Sequence, residues 1–241
     1  MKRIRIQLRA ELMLLARNSE QLLLTLVIPV LLLVFFGLVD ILPTGDVDSI
    51  QFLTPGIIAI AIMSTSMVSL GIATGFERSY LVLKRLGATP LTRRELVLAK
   101  ILTVFIVELL QAAILLPIGA LLGWRPTGTV WPLAIIVILL GTSAFAGIGL
   151  LLAGRLRAEI NLAAQNGLYL VLLLLGGMII DRESLPGFMS SATQALPSTA
   201  LADLLRATLN STDGALLMPF IVLTGWALIA PAIAASRFRW S

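Results

Sequence analysis

The chain has 241 residues, of which 58% are apolar and 13% charged, with a formal net charge of +5 and a mean hydropathy of +1.00. A soluble domain of this length has no use for so much apolar surface, so a water-soluble globular fold is excluded. With neither cysteine nor histidine, disulfides, thiolates, zinc and haem sites and imidazole acid–base chemistry are excluded too, leaving carboxylates, hydroxyls and lysines for any catalysis.

Six apolar stretches run between the charged residues: Leu22 to Val39, Phe52 to Phe76, Ile101 to Trp124 (broken only by Glu108), Pro126 to Gly154, Ile160 to Ile180 and Gly214 to Ser236. Each reaches the roughly 18 to 20 residues that a helix rising about 1.5 Å per residue needs to cross about 30 Å of hydrocarbon. The alternating segments of about 10 residues that a barrel requires do not occur. The expected fold is therefore an all-α integral membrane protein, one transmembrane domain over 1–241, with helices at 22–41, 52–75, 97–122, 131–154, 160–180 and 215–236.

In residues 1–20, Ile4, Leu8, Leu12 and Leu15 recur at helical spacing beside Lys2, Arg5 and Arg9. That pattern predicts an amphipathic helix in the headgroup layer; the plainer reading is a basic leader that only sets topology. A signal peptide is disfavoured by the long leader to Arg17 and by Ile41-Leu42-Pro43-Thr44, a poor cleavage site. The second span carries Met63, Ser64, Thr65, Ser66, Met67 and Ser69, a polar and pliable patch near the bilayer middle. Either these residues face a path through the membrane or they simply pack and hydrogen-bond between helices.

Residues 77–95 form the one sizeable loop on their side, with helical spacing in Phe76, Tyr80 and Leu83, stop signals at Gly87 and Pro90, and a capping box in Thr92-Arg93-Arg94-Glu95. A short helix held between two spans suits the transfer of force from a soluble partner; a lipid-facing basic loop is the equal alternative. In the third span Glu108 lies at mid-depth, where a bare carboxylate costs several kcal/mol, and Gln111 one turn on is its expected partner. Glu108 is either a hydrogen-bonding anchor or a participant in substrate or proton handling. Gly71-x-x-x-Gly75 and Gly119-x-x-x-Gly123 permit close helix approach but name no neighbour. Residues 181–213 stay outside yet include Leu185, Pro186, Phe188, Met189 and Leu196; Pro197-Ser198 opens a helix whose Leu201, Leu204, Leu205 and Leu209 share one face. A short re-entrant cap follows from that face.

Fifteen of the 18 Lys and Arg residues fall before the first span, in the 77–100 region, between the fourth and fifth spans, and after the sixth. The opposite side has Arg125, Arg182 and Arg206, with Asp40, Asp46, Asp48, Asp181, Glu183, Asp203 and Asp213. The positive-inside rule then places both termini in the cytoplasm, and the net charge reflects topology and anionic-lipid contact rather than nucleic-acid binding.

The chain resembles the membrane subunits of type-two ATP-binding cassette exporters, the group that includes daunorubicin-type drug-efflux permeases. The resemblance covers nearly the whole chain. It is carried by Phe52-Leu53-Thr54-Pro55-Gly56, Glu77-Arg78, Lys84-Arg85-Leu86-Gly87-Ala88-Thr89-Pro90-Leu91-Thr92-Arg93 and Lys100, with fainter echoes at Arg17, Pro29, Leu196-Pro197 and Asp203 to Arg206. It implies a bacterial cytoplasmic-membrane permease paired with a second copy or a homologue. Each copy would seat a coupling helix within Glu77 to Leu86 (Glu77, Arg78, Tyr80, Leu83, Lys84, Arg85, Leu86) on one of two ATPase subunits, which hold ATP and Mg. The path between copies would be lined by the second and fifth spans, here Met63, Ser66, Met67, Asn166 and Leu170. Lys84-Arg85 fits the drug-export branch better than the polysaccharide branch. Relatives often carry glycine after the Glu-Arg pair where this chain has Leu81, so the turn expected there lacks its usual residue.

No Gly-x-x-x-x-Gly-Lys-Ser/Thr loop occurs in the sequence, so nucleotide chemistry falls to another polypeptide, this chain is not itself an enzyme, and it needs no cofactor or metal of its own. The leading expectation is an exporter of hydrophobic or amphiphilic compounds such as drugs, with a lipid or polysaccharide as the alternative cargo. A membrane-embedded lipid enzyme needs clustered carboxylates, and these are scattered. A secondary carrier needs repeated halves and several buried ionisable groups, whereas the spans hold one.

Overall fold

The computed structural model describes residues 2–39, 49–179, 193–210 and 216–237, and among these every regular element is helical. Asp40, Ile41, Asp46, Asp48, Ile180, Asp181, Arg182, Glu183, Leu185, Pro186, Phe188, Met189, Asp213 and Arg239 lie outside the described residues.

In chain order the helices are α1 (Lys2–Arg17), α2 (Ser19–Leu38), α3 (Ser49–Met63), a π-helical turn (Ser64–Ser69), α4 (Leu70–Ser79), α5 (Val82–Gly87), α6 (Arg93–Leu121), α7 (Trp131–Ala153), α8 (Ala158–Leu175), α9 (Pro197–Asn210) and α10 (Leu217–Arg237). Five helical stretches are long and apolar enough to cross a membrane: Ser49–Ser79, α6, α7, α8 and α10. The apolar part of α2, Leu23–Leu38, is shorter. The chain is thus a multi-pass membrane protein.

The stretch Ser49–Ser79, α3 through α4, is the core, with two thirds of its most apolar window buried, and α2, α6, α7, α8 and α9 pack on it directly. At 31 residues it is about 45 Å long, well beyond the roughly 30 Å of hydrocarbon, so it is longer than a membrane crossing needs. Proline inside α2, α3, α6 and α10 is tolerated because the neighbouring helices supply the lost contacts.

Glycine sets the closest approaches. A Cβ on Gly149 of α7 would lie 2.6 Å from the Met67 carbonyl oxygen, and one on Gly147 would lie 2.4 Å from the Pro231 nitrogen of α10. Gly71 and Gly75 do have a neighbour, α8: their missing side chains make room for Gln165 and Asn161. Gly119 accommodates Thr54, whereas Gly123 lies past the helix end at φ +108° and shapes the turn out of α6. The α9 helix starts at Pro197 as the sequence predicts, but its leucine face does not meet lipid. Leu201, Leu204, Leu205 and Leu209 are buried in the bundle core, with Leu201 reaching Gly141 of α7 beside Ile62 of α3.

The amphipathic helix α1 also differs from its sequence reading. Ile4, Leu8, Leu12 and Leu15 are half-buried on the side that bears the buried Glu11, and α1 packs chiefly on α6. Ile6, Met13 and Leu14 are the apolar side chains left exposed, next to Arg5 and Arg9.

Candidate functional site

The hairpin between α4 and α6 is built by two local signals. Thr92 caps α6: its hydroxyl accepts from the Glu95 backbone N–H (3.3 Å) while a Glu95 carboxylate oxygen accepts from the Thr92 N–H (2.8 Å), the reciprocal pair expected from the sequence. The other end departs from expectation. Helical spacing through Phe76, Tyr80 and Leu83 predicts one continuous helix, but α4 ends at Ser79 and α5 begins at Val82. Between them Leu81 adopts φ 60°, ψ 16°, so the turn forms without glycine.

That break sorts the hairpin's side chains. Leu83 is fully buried against Leu96, with Leu86 and Leu91 packed on the pair, so it is the hairpin's own core. Tyr80 is 71% exposed and Leu81 52%. With the exposed Val82, Lys84 and Arg85 they form the hairpin's outward tip. Glu77 and Arg78 turn inward instead. Arg78 donates to the carbonyls of Ala153 (3.0 Å) and Leu156 (3.4 Å), closing the end of α7, where a cation offsets the exposed carbonyls. Glu77 pairs with Lys100 at 2.9 Å.

Within the span, a groove of about 380 Å³ opens between α2, the π-helical turn and α8. One wall is Leu24, Thr25, Ile28 and Leu32 of α2; the other includes Ser64, Thr65, Ser69 and Tyr169. Of the residues the resemblance assigns to the path, Met63, Ser66 and Met67 are buried inside the bundle, and Asn166 and Leu170 lie on the exposed face of α8. The π turn rotates the polar patch so that Ser64, Thr65 and Ser69 reach the groove while the methionines pack inward.

Glu108 and Gln111 are both buried, but they do not partner each other. The Thr142 hydroxyl of α7, with one proton to give, lies between a Glu108 oxygen and the Ile138 carbonyl (2.7 Å); Ser66 also interacts with the Glu108 carboxyl, whose second oxygen has no hydrogen-bond partner among the described residues. Gln111 points toward α2 and the π turn. Its amide donates to the Thr25 carbonyl (2.9 Å) and the Thr65 hydroxyl (3.0 Å), bridging the foot of the groove.

Sequence reasoning missed Asn161 and Gln165. Asn161 donates to the Gly71 carbonyl and Gln165 to the Gly149 carbonyl, both at 2.9 Å, locking α8 onto α4 and α7. The available signal was an amide pair four residues apart facing a Gly-x-x-x-Gly. At the other end, the Phe52 to Gly56 motif is a seat. Arg206 stacks 3.8 Å over the Phe52 ring and donates to the Gly177 carbonyl (2.5 Å), and Gly56 admits the Met178 carbonyl. Trp124 donates to Asn210 (2.8 Å), which donates to the Gln51 carbonyl (2.6 Å), pinning the end of α9.

Residues 2–210, which hold the FLTPG seat, the capped hairpin and α9, match the model of one known family, the ABC-2 type transporters. The chain belongs to the ABC-2 type transporter family. This ABC-2 protein is also 28% identical, over 139 residues, to a protein of Bacillus subtilis (strain 168) named "Putative transport permease YvfS". The match spans 57% of this chain and 57% of that protein, so the chain covers little more than half of that relative's length.

Proposed function

We propose that this ABC-2 protein is the permease subunit of an ATP-driven exporter, with six spans including α2, both termini in the cytoplasm, and the hairpin docked on a separate ATPase subunit that binds ATP and Mg. The single observation that carries the docking is the hairpin tip. Tyr80, Leu81 and Val82 are exposed beside Lys84 and Arg85, on a hairpin stiffened from within by Leu83 and Leu96 and by the Thr92 cap. Large apolar side chains on a rigid polar-rimmed projection mark a protein contact. Two copies, or this chain and a homologue, would pair so that each tip meets one of two ATPase subunits.

The cargo path would run along the groove between α2, the π turn and α8. Its lining combines aliphatic side chains with the polar but uncharged Asn18, Thr25, Ser64, Thr65, Ser69 and Tyr169. Such a lining suits uncharged or amphiphilic compounds, as in drug efflux, and a lipid suits it as well; a polysaccharide is the alternative cargo.

The test is co-purification with the cognate cassette ATPase from membranes. Tyr80→Asp and Val82→Asp are expected to weaken association at least about tenfold by placing a charge in an apolar contact, while Arg125→Asp, on the opposite side, leaves it unchanged. Equal retention of the ATPase by all three variants would sink the docking.

A further inference from the structure

The buried charge cluster at the base of the hairpin is not used by the docking or by the groove. Lys100 of α6 has a side chain only 2% exposed, yet it carries an ammonium. Its Nζ lies 3.1 Å from Glu11 of α1 and 2.9 Å from Glu77 at the foot of α4, and it hydrogen-bonds both carboxylates, at 3.3 Å and 3.0 Å. One cation thus joins three elements that are far apart in sequence. A second tie lies a few turns away, where Arg3 donates to the Pro90 carbonyl in the turn before α6 (2.8 Å). Helix α1 is therefore fastened to the hairpin near its start and at its middle.

The far end of α1 leads to the groove. α1 and α2 are separated only by Asn18, whose N–H bonds the carbonyls of Leu14 (3.1 Å) and Leu15 (3.0 Å), so the joint is short and hydrogen-bonded. Beyond it, α2 supplies Leu24, Thr25, Ile28 and Leu32 to one wall of the groove.

We propose that the Glu11–Lys100–Glu77 cluster makes α1 part of the force-carrying unit, so that a displacement of the hairpin passes through Lys100 to α1 and across Asn18 to α2, the moving wall of the groove. This rests on the hairpin being the ATPase-docking element. Ion pairing gives the link its stiffness. Apolar contacts slide at little cost, but an ammonium withdrawn from buried carboxylates is left desolvated and unpaired, so α1 and the hairpin move together or not at all. Lys100 and Glu11 are positioning residues: they touch neither cargo nor nucleotide.

The native chain has no cysteine, so spin labels can be placed at will. Ala10→Cys on α1 and Ala88→Cys in the hairpin are both exposed, and the distance between labels there is measured in the purified permease alone. A narrow distance distribution is expected in the otherwise native chain and a clearly broader one in Glu11→Leu, which leaves Lys100 balanced by Glu77 and so preserves the fold. The variant Glu11→Lys, Lys100→Glu, Glu77→Gln, which rebuilds one pair across the same two helices, narrows it again. In the complex with the ATPase, Glu11→Leu is expected to keep ATP hydrolysis while cargo moved per ATP falls roughly tenfold, the size of a typical coupling between sites. An unchanged distance distribution in Glu11→Leu overturns the proposal, as does a broadened one with cargo per ATP unaffected. If no ATPase associates, the docking reading fails, and the label distance still decides whether α1 and the hairpin form one body.

Discussion

At Leu81 the backbone and the side chain disagree. A left-handed conformation costs a non-glycine residue about 1–2 kcal/mol, and glycine returns about 0.5–1 kcal/mol of that through the unfolded chain. Leu81 is half exposed and has little packing to lose. Leu81→Gly is therefore expected to raise stability by up to about 1 kcal/mol, about 2–4 °C in the melting temperature of the detergent-solubilised chain, and the β-branched Leu81→Ile to lower it. Glu108 poses the opposite problem. Thr142 can satisfy its hydroxyl at the Ile138 carbonyl, and one Glu108 oxygen has no hydrogen-bond partner among the described residues, so the fold gains little from this buried carboxylate. Glu108→Leu is expected to leave stability unchanged within about 1 kcal/mol or to raise it. A drop of more than about 4 °C in the melting temperature makes Glu108 an anchor rather than a working group. Transport by a folded Glu108→Gln protein that matches the native rate excludes a proton-handling role. The sequence located this residue at mid-depth but misassigned its partner, because positions three apart on α6 still point at different neighbours: Glu108 at α7, Gln111 at α2.

Hydropathy and caps made the long apolar helices legible, from Trp131 at the start of α7 to the Thr92 cap of α6. What they could not give is the phase of a helix that changes its own period. In the π turn at Ser64–Ser69 the period widens, so Ser64 and Ser69, five apart, both reach the groove, while Met67 and Met63, the last residue of α3, pack inward. Nor could spacing foresee the break at Tyr80 and Leu81, which is made by a residue with poor propensity for it. At the π turn α7 comes within backbone contact, and Gly149 provides the room for it. Gly149→Ala would place a carbon 2.6 Å from the Met67 carbonyl oxygen, and backbone on both sides leaves no flexible atom to yield. Overpacking of this kind costs about 1–3 kcal/mol. The expected result is a melting temperature lower by several degrees, whereas Gly167→Ala, with nothing within 4 Å of the new carbon, leaves it unchanged.

On the scale of the molecule, charge asymmetry predicts an orientation and the family match supplies the class, but the pairing of two copies proposed above has no mark in period or composition. One face of α8 is a candidate for it. Helix α8 is locked to the bundle by Asn161 and Gln165, yet its other face, with Leu162, Asn166, Leu170 and Leu174, is exposed in the single chain. Asn166 sits at the middle of this span, where an amide facing lipid costs free energy because hydrocarbon offers it no partner. Among the described residues its Nδ2 bonds the Leu162 carbonyl of its own helix (2.9 Å). A face with an amide at its centre and glycine beside it, at Gly167, is suited to a protein neighbour rather than to acyl chains. The proposed pairing of two copies thus places α8 at or next to the seam, beside the groove that Tyr169 of the same helix helps to line. Asn166→Cys, in a chain with no other cysteine, is expected to form a disulfide between two copies when membranes are oxidised, giving a band of doubled mass on a non-reducing gel. Ile135→Cys, exposed on α7, serves as the control and is expected to stay monomeric. Cross-linking by Ile135→Cys and not by Asn166→Cys moves the seam to α7 and separates it from the groove, and a cargo path between copies along α8 is then untenable.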